Sequence, residues 1–222
     1  MLNNNLIRCI RNQSTNTICL FKKDGNNLYW FPDIGIGYYP VQDFVYDKEY
    51  FEKYSLYENT ETSDNLLGER ESFVRAFYGN NLENFVDVGI GSGAFMERVG
   101  CNGYDVNPVG VNYLKKNDKY HDIYEKPADV MTFWDSLEHI ESPFDALDNV
   151  SDMAFISCPI YESIDDLIDS KHFRTDEHFW YWTVDGFKLF MNIAGFDIIA
   201  HETFEQKCGR ESIHSFACKR RV

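Results

Sequence analysis

The 222-residue sequence predicts an α/β fold, a Rossmann-like doubly wound sheet with helices on both faces. Two observations support this prediction. Short apolar strands alternate with helical segments from residue 83 to the C-terminus, which is the pattern of a mostly parallel sheet. A glycine-rich turn also follows the first strand, within Phe85–Gly93, and such a turn lets the backbone approach a ligand closely.

Local signals define the elements of this alternation. Asn107 followed by Pro108 is a strong helix start, and Thr183 starts another helix that ends at Gly195. Further helices are predicted at residues 65–78, 92–99 and 142–150. The predicted strands cover residues 85–88, 103–106, 120–124, 128–134, 153–158, 196–203 and 212–219.

The N-terminal quarter of the chain differs from the rest. Residues 1–62 lack a strong hydrophobic period, contain two short predicted strands at 17–22 and 27–31, and are rich in tyrosine. We therefore expect an N-terminal cap or extension at 1–62 and one α/β domain at 63–222.

Acidic side chains and glycines meet at the ends of the first two strands. Asp87 precedes the turn that contains Gly89, Gly91 and Gly93, and Asp105 ends the next strand. A carboxylate in the second position is placed to accept hydrogen bonds from a ribose diol. The sequence therefore predicts a ligand that carries a ribose.

The residues leave two classes of cofactor open. The segment Gly89–Ala94 satisfies the loose dinucleotide pattern, so a nicotinamide-dependent oxidoreductase is one alternative. However, Asp87 would face the position of a dinucleotide pyrophosphate, and like charges repel. S-adenosylmethionine has no phosphate and carries an ammonium and a sulfonium, which a carboxylate attracts. We therefore favour S-adenosylmethionine.

At this point the sequence resembles the class I S-adenosylmethionine-dependent methyltransferases, over roughly residues 65 to 218. The motifs are Val86–Gly93, Gly103–Asp105 and Asp129–Pro143, and the last is similar to the fourth motif of the branch that includes ubiquinone-biosynthesis O-methyltransferases. The resemblance implies methyl transfer and a seven-stranded sheet whose final strand inserts antiparallel. The helix that the fold usually carries before residue 128 has no room here, which leaves only Asp122 as a candidate on the adenine side.

The third motif supplies the candidate catalytic residues. Ligands of open parallel sheets lie beyond the carboxyl ends of the strands, so Asp135 is expected beside the cofactor. His139 is the predicted general base, because a neutral imidazole is available near neutral pH. Its alternative role is to hold the loop through backbone hydrogen bonds. Glu138 would orient the base, contact the acceptor or help to hold a metal ion, although no metal site is predicted without a second histidine or carboxylate cluster.

Two further segments carry hypotheses. The resemblance implies that Arg70 binds the methionine carboxylate of the cofactor, and the alternative is a surface arginine paired with Glu69 or Glu71. The segment 171–182 is expected to form a wall of the acceptor pocket, with His172 or His178 as the alternative base.

The same segment contains four consecutive aromatic residues at 179–182. Because four neighbours cannot share one face, we expect some of these rings to point toward the pocket or solvent.

Composition excludes several classes of function. The formal net charge of −15 argues against a general nucleic-acid surface, which needs clustered basic residues. No signal peptide and no apolar stretch of membrane-spanning length is found, and the six cysteines form no metal-ligand pattern, so a cytoplasmic protein with free thiols is expected. Cys9 and Cys19 alone do not predict bound zinc.

The resulting prediction is a cytoplasmic methyltransferase that acts on a small or sugar-like acceptor, at oxygen, with His139 and Glu138 as catalytic residues. A non-enzymatic alternative is a degenerate methyltransferase-like domain that binds partners through its acidic surface. The sequence does not determine the acceptor or the oligomeric state.

Overall fold

The computed structural model describes residues 10, 12–14, 19–23, 26–40, 60–80 and 82–221. Two sheets run through these residues. Their strands are β1 (Cys19–Lys23), β2 (Asn26–Phe31), β3 (Ile36–Tyr38), β4 (Phe85–Val88), β5 (Asn102–Tyr104), β6 (Ala128–Trp134), β7 (Val150–Pro159), β8 (Trp180–Trp182), β9 (Phe196–Glu202) and β10 (Ile213–Arg220). The helices are α1 (Glu61–Tyr78), α2 (Ala94–Val99), α3 (Pro108–Lys116), α4 (Pro143–Leu147), α5 (Ile164–Asp169) and α6 (Val184–Ile193), with 3₁₀ turns at Leu137–His139 and Phe204–Cys208.

The main sheet has six strands in the order β5-β4-β6-β7-β10-β9. Neighbours from β5 to β7 are parallel, whereas β10 runs antiparallel to both β7 and β9. This confirms the α/β Rossmann-like class and the antiparallel insertion of the final strand. The carboxyl ends of β4, β5, β6 and β7 therefore meet along one edge, where the predicted site residues lie.

The prediction of seven strands is wrong for the described residues. In the predicted strand 120–124, only Tyr120 pairs, through an isolated bridge to Gly103. The reason lies in Asp122, whose side chain accepts a hydrogen bond from the Tyr124 amide at 3.0 Å. This Asx turn bends the backbone away from the sheet edge after a single bridge.

A second, antiparallel sheet has the order β1-β2-β3-β8. Strand β8 comes from the segment 171–182, for which no strand was predicted, and it joins the N-terminal hairpin to the main domain. Trp180, Tyr181 and Trp182 are all buried. Trp180 and Trp182 pack into the central core and Tyr181 into a second cluster. Of the four consecutive rings, these three are therefore buried, because β8 is covered on both faces, and Phe179 is partly exposed.

Helix α1 begins with a reciprocal capping box between Thr60 and Ser63 and buries Arg70, Phe73 and Val74. The central core contains the apolar side chains of β4, β6, β7 and α6. No helix among the described residues combines the length and the apolar character that crossing a membrane requires. The tyrosine-rich N-terminal region extends through residues 41–46 and 50–54, which lie outside the described residues, as does Cys9.

The contact between α6 and the β2–β3 turn depends on two glycines. The Gly35 carbonyl oxygen accepts a hydrogen bond from the Thr183 amide at 2.8 Å. A Cβ atom on Gly186 would lie 1.9 Å from that oxygen, so only glycine fits at this position.

We therefore predict that Gly186→Ala destabilises the fold by about 1–3 kcal/mol, even though alanine is the better helix former. Gly68→Ala is the matched control, since its Cβ would meet only Arg98 Nη2 at 3.5 Å. We expect this control to leave stability unchanged or to raise it by about 0.5–1 kcal/mol. Urea unfolding measures both values. Equal stability of the two variants would contradict the packing described for α6.

Candidate functional site

The glycine turn after β4 has the conformation that the sequence predicts. Gly89, Gly91 and Gly93 have φ values of 76°, 53° and 85°. A Cβ on Gly89 would lie 2.8 Å from the Cβ of Ser136, whereas no atom of the described residues lies within 4 Å of a Cβ on Gly91. Gly89 is therefore required for packing, and Gly91 leaves the backbone open to a ligand.

Asp105 lies against this turn. Its Oδ1 accepts a hydrogen bond from the Asn107 amide at 2.7 Å. Burial raises the pKa of Asp105, and hydrogen bonds from backbone amides, including those of Gly91 and Ile90, act in the opposite direction. The carboxylate is thus positioned by the turn itself. The next residue, Val106, is 56% exposed, so an accessible apolar side chain follows this carboxylate along the chain.

Asp87 is buried at the end of β4. Thr132 Oγ1 donates a hydrogen bond to its Oδ1 at 2.7 Å. Burial raises the pKa of Asp87 to about 7, while the Thr132 hydrogen bond and the charge of Arg70 counteract that rise. A cation brought close to this carboxyl would stabilise its ionised form.

Arg70 belongs to a buried charge network. Its Nε and Nη2 donate to the two carboxylate oxygens of Glu205 at 2.8 and 2.9 Å, and Nη2 also donates to Asp135 Oδ2 at 3.0 Å. Arg210 Nη1 lies 2.7 Å from Asp135 Oδ2 and 3.1 Å from Glu205 Oε2. Ser157 Oγ donates to Glu205 at 2.6 Å.

The alternative of a surface pairing for Arg70 is therefore wrong. Glu71 pairs with Arg75 and Arg98 on the outside of α1, whereas Arg70 faces inward. The predicted contact of Arg70 with a cofactor carboxylate stays a prediction. Nη1 is available for it, because the hydrogen bonds of Arg70 within the described residues come from Nε and Nη2.

Asp135 begins the turn after β6 with a φ of 51°, an uncommon value for a residue other than glycine. Burial would raise its pKa, but the positive charges of Arg210 and Arg70 outweigh that effect and hold the pKa below its usual value. Ser136 Oγ then donates to the Val88 carbonyl at 2.7 Å. The turn is thus fixed to the end of β4, beside the glycine turn.

Glu138, His139 and His178 meet directly after this turn, with one ligand atom of each within 4.8 Å of the others. Glu138 is 1% exposed, and burial together with the charge of Asp135 raises its pKa well above the usual value. Burial lowers the pKa of His139 to about 4, and it also lowers the pKa of His178. Both imidazoles are therefore neutral at pH 7.

The two predicted alternative bases occupy different places. His172 lies at the edge of the protein, where its Nε2 is 3.0 Å from the Glu211 carbonyl oxygen. His178 is buried, and its ring centroid lies 4.5 Å from that of His139. The sequence spacing of the histidines gave no sign of this proximity.

A cavity of about 990 Å³ opens between the β2–β3 turn and the end of β7. Its lining includes Ile160 and Tyr161, directly after β7, and Thr183. Carboxylates line it as well, among them those of Glu162 and Asp185. A molecule of small size fits this volume.

Sequence reasoning did not identify Glu205 and Arg210. Both lie far along the chain from α1 and belong to no motif. An acid and an arginine close together before the last strand could have suggested an ion pair between Glu205 and Arg210. The sequence does not indicate that both also pair with residues distant along the chain. Asp122, the adenine-side candidate, is partly buried and caps its own turn.

The open glycine turn, the two acids and the sheet order define a nucleoside-binding α/β protein of the methyltransferase type. Residues 67–201 match the family model described as a methyltransferase domain. The chain therefore belongs to this methyltransferase family and is an enzyme whose methyl donor is S-adenosylmethionine.

Solved structures with the same fold are similar to the chain at low identity. The plantazolicin methyltransferase BpumL in complex with S-adenosylhomocysteine is 15% identical, with a TM-score of 0.52 over 78% of this chain and 90% of that one. Magnesium protoporphyrin IX methyltransferase from Synechocystis PCC 6803, also with S-adenosylhomocysteine, is 11% identical, with a TM-score of 0.51 over 72% and 84%.

The [4+2]-cyclase SpnF is 12% identical, with a TM-score of 0.51 over 72% of this chain and 81% of its own. No curated protein matches the chain by sequence. These likenesses establish the fold, and the family match establishes the class of enzyme.

The environment of Asp87 generates a prediction about stability. Its pKa is about 7 in the folded protein and 3.8 in the unfolded chain, so the folded state retains a proton that the unfolded state loses between these values. The free energy of unfolding must then fall as pH rises through this window. We expect wild type to lose about 2 kcal/mol more than Asp87→Asn between pH 5 and pH 7. Urea unfolding at both pH values tests this, and identical pH dependence in the two proteins would contradict the assignment.

Proposed function

We propose that this enzyme transfers a methyl group from S-adenosylmethionine to an oxygen atom of a small or sugar-like acceptor. The observation that carries the proposal is the glycine turn, where the backbone at Gly91 is open and Asp105 is held directly beside it. Two buried acids within one crevice suit a ligand with a ribose and a positive charge, and they disfavour a pyrophosphate.

Each of these residues has a distinct proposed role in binding. Asp105 would accept hydrogen bonds from the ribose hydroxyls, and the open backbone at Gly91 would pass close to the ligand. Asp87 would stabilise the cationic methionine end, and Asp135 and Arg70 would border it. When bound, the cofactor supplies an electrophilic methyl group on a positively charged sulfur.

The turn after β6 carries the residues that we propose for the acceptor half of the reaction. Ser136 Oγ donates a hydrogen bond to the Val88 carbonyl at the end of β4, and His139 follows Ser136 by three residues in the same turn. A neutral imidazole accepts a proton, and we propose His139 for this task, with the buried Glu138 positioning the turn. Direct displacement depends mainly on alignment, which the rigid turn favours.

The acceptor is proposed to enter through the 990 Å³ cavity. Ile160 and Tyr161 border this cavity, and the carboxylates in its lining disfavour an anionic acceptor. The similarity of the third motif to the ubiquinone-biosynthesis branch supports transfer to oxygen. The same similarity supports a small molecule as the acceptor.

Two glycine-to-alanine substitutions test the cofactor site. Both place a Cβ on a residue with positive φ, so the backbone strain that they introduce is similar. Gly91 and Gly100 both have positive φ, of 53° and 76°, and both have free space around a Cβ. We predict that Gly91→Ala weakens S-adenosylhomocysteine binding at least about tenfold, because its Cβ enters the ligand space. Gly100→Ala, at the far end of α2, should bind normally in calorimetric titration. Equal affinities would show that the ligand does not approach Gly91.

A second prediction concerns His139. With an acceptor identified by screening, His139→Ala should lower kcat by between about 10² and 10⁴ while the affinity for S-adenosylhomocysteine stays unchanged. His201→Ala, which changes a partly exposed histidine on β9, serves as the control. Normal turnover by His139→Ala would remove His139 from the catalytic proposal.

A further inference from the structure

The cluster of Glu138, His139 and His178 has more polar atoms than the protein satisfies. Glu138 Oε2 and His178 Nδ1 are both buried, and neither has a hydrogen-bond partner among the described residues. The two residues are 1% and 4% exposed. Leaving such atoms unpaired costs about 1–3 kcal/mol each, so a partner that the protein itself does not supply is expected at this point.

The two residues that carry these orphan atoms form a compact set with His139. One ligand atom from each of the three residues lies within 4.8 Å of the other two. Ligand atoms about 2.0–2.2 Å from a zinc ion are about 3.4 Å apart in a tetrahedral shell, so side-chain movements of about 1.4 Å or less close the set. This contraction is within the range of ordinary side-chain adjustment.

The backbone holds the two contributing segments together. The Phe179 amide donates to the Glu138 carbonyl at 2.8 Å, directly between the 3₁₀ turn and the start of β8. Trp180 Nε1 donates to the Ile140 carbonyl at 3.1 Å. The proximity of His178 to the Glu138–His139 pair is therefore fixed by main-chain contacts rather than by a flexible loop.

The second layer of contacts also suits metal ligation. The backbone of His172 acts on the His178 ring and partly offsets the lowering of its pKa by burial, and His178 Nδ1 is buried. Glu177 Oε2 lies 3.9 Å from His139 Nδ1 and is paired with Arg174. Metal-bound imidazoles generally have such partners on their outer side.

We propose that Glu138, His139 and His178 bind one divalent transition-metal ion, such as Zn²⁺ or Co²⁺. Two imidazole nitrogens and one carboxylate oxygen favour these ions over Mg²⁺ and Ca²⁺, which prefer all-oxygen sites. Three protein ligands leave a further coordination position open. His139 is the most accessible of the three, with 14% of its side chain exposed.

No metal was expected from the sequence, because nothing in the spacing of the histidines indicates that the fold brings His178 to the Glu138–His139 pair. The metal ion would lie in the site of the proposed function, but its binding does not rest on methyl transfer. In the metal-bound protein His139 is a ligand, and the direct proton acceptance proposed above then belongs to the metal-free form.

The test is titration of the chelator-treated, full-length protein with Co²⁺, followed by visible absorption. The expected result is one Co²⁺ per chain with a ligand-field spectrum of nitrogen and oxygen ligation. Glu138→Gln and His178→Ala should each weaken binding at least about tenfold. His201→Ala should bind normally, since it removes the His201–His214 pair, the other close histidine pair of the described residues.

Because Glu138 and His178 are buried, circular dichroism must accompany each variant, and His139→Asn gives a third variant at the most exposed ligand. Absence of Co²⁺ binding by folded wild type, binding that survives all three substitutions, or a sulfur-to-cobalt charge-transfer band would overturn the proposal. S-adenosylhomocysteine binding by the same metal-free sample separates the outcomes. A protein that binds the nucleoside but no Co²⁺ retains its proposed function and lacks the metal site.

Discussion

The pairing of the buried Arg70 and Glu205 with the partly exposed Asp135 and Arg210 is the constraint on which the site depends. It ties α1 and the 3₁₀ turn before β10 to the end of β6, where Asp135 has a positive φ. A buried charge left without its partner costs about 3–5 kcal/mol, so Arg70 and Glu205 must pair as the fold forms. Because Asp135 starts the turn that carries Glu138, the network sets the position of every catalytic candidate that follows.

Both sheets contribute residues to the candidate site. The parallel strands of the main sheet end in the glycine turn and in the turn after β6, which supply the cofactor side. Strand β8 belongs to the other sheet and brings His178 against His139 from the opposite direction. The N-terminal hairpin pairs with β8 through β3, so the described N-terminal strands form one sheet with the strand that follows His178.

The sequence predicted the features that depend on local chemistry. Positive φ at Gly89, Gly91 and Gly93, the Asn107 and Thr183 caps and the antiparallel final strand follow from glycine, capping and motif signals. What the sequence did not predict depends on contacts distant along the chain. The partners of Arg70 lie more than sixty residues away, and a single Asx turn at Asp122 removed a predicted strand. Strand β8 was missed because its aromatic residues have no alternating polarity, which is typical of a strand covered on both faces.

We infer that the glycine turn and its two acids bind S-adenosylmethionine rather than a dinucleotide. The family match and the open backbone at Gly91 support this inference independently. The decisive experiment is calorimetric titration of the wild-type protein with S-adenosylhomocysteine and, separately, with NAD. We predict binding of S-adenosylhomocysteine with a micromolar Kd and no measurable heat with NAD. Binding of NAD alone, or of neither ligand, would contradict it.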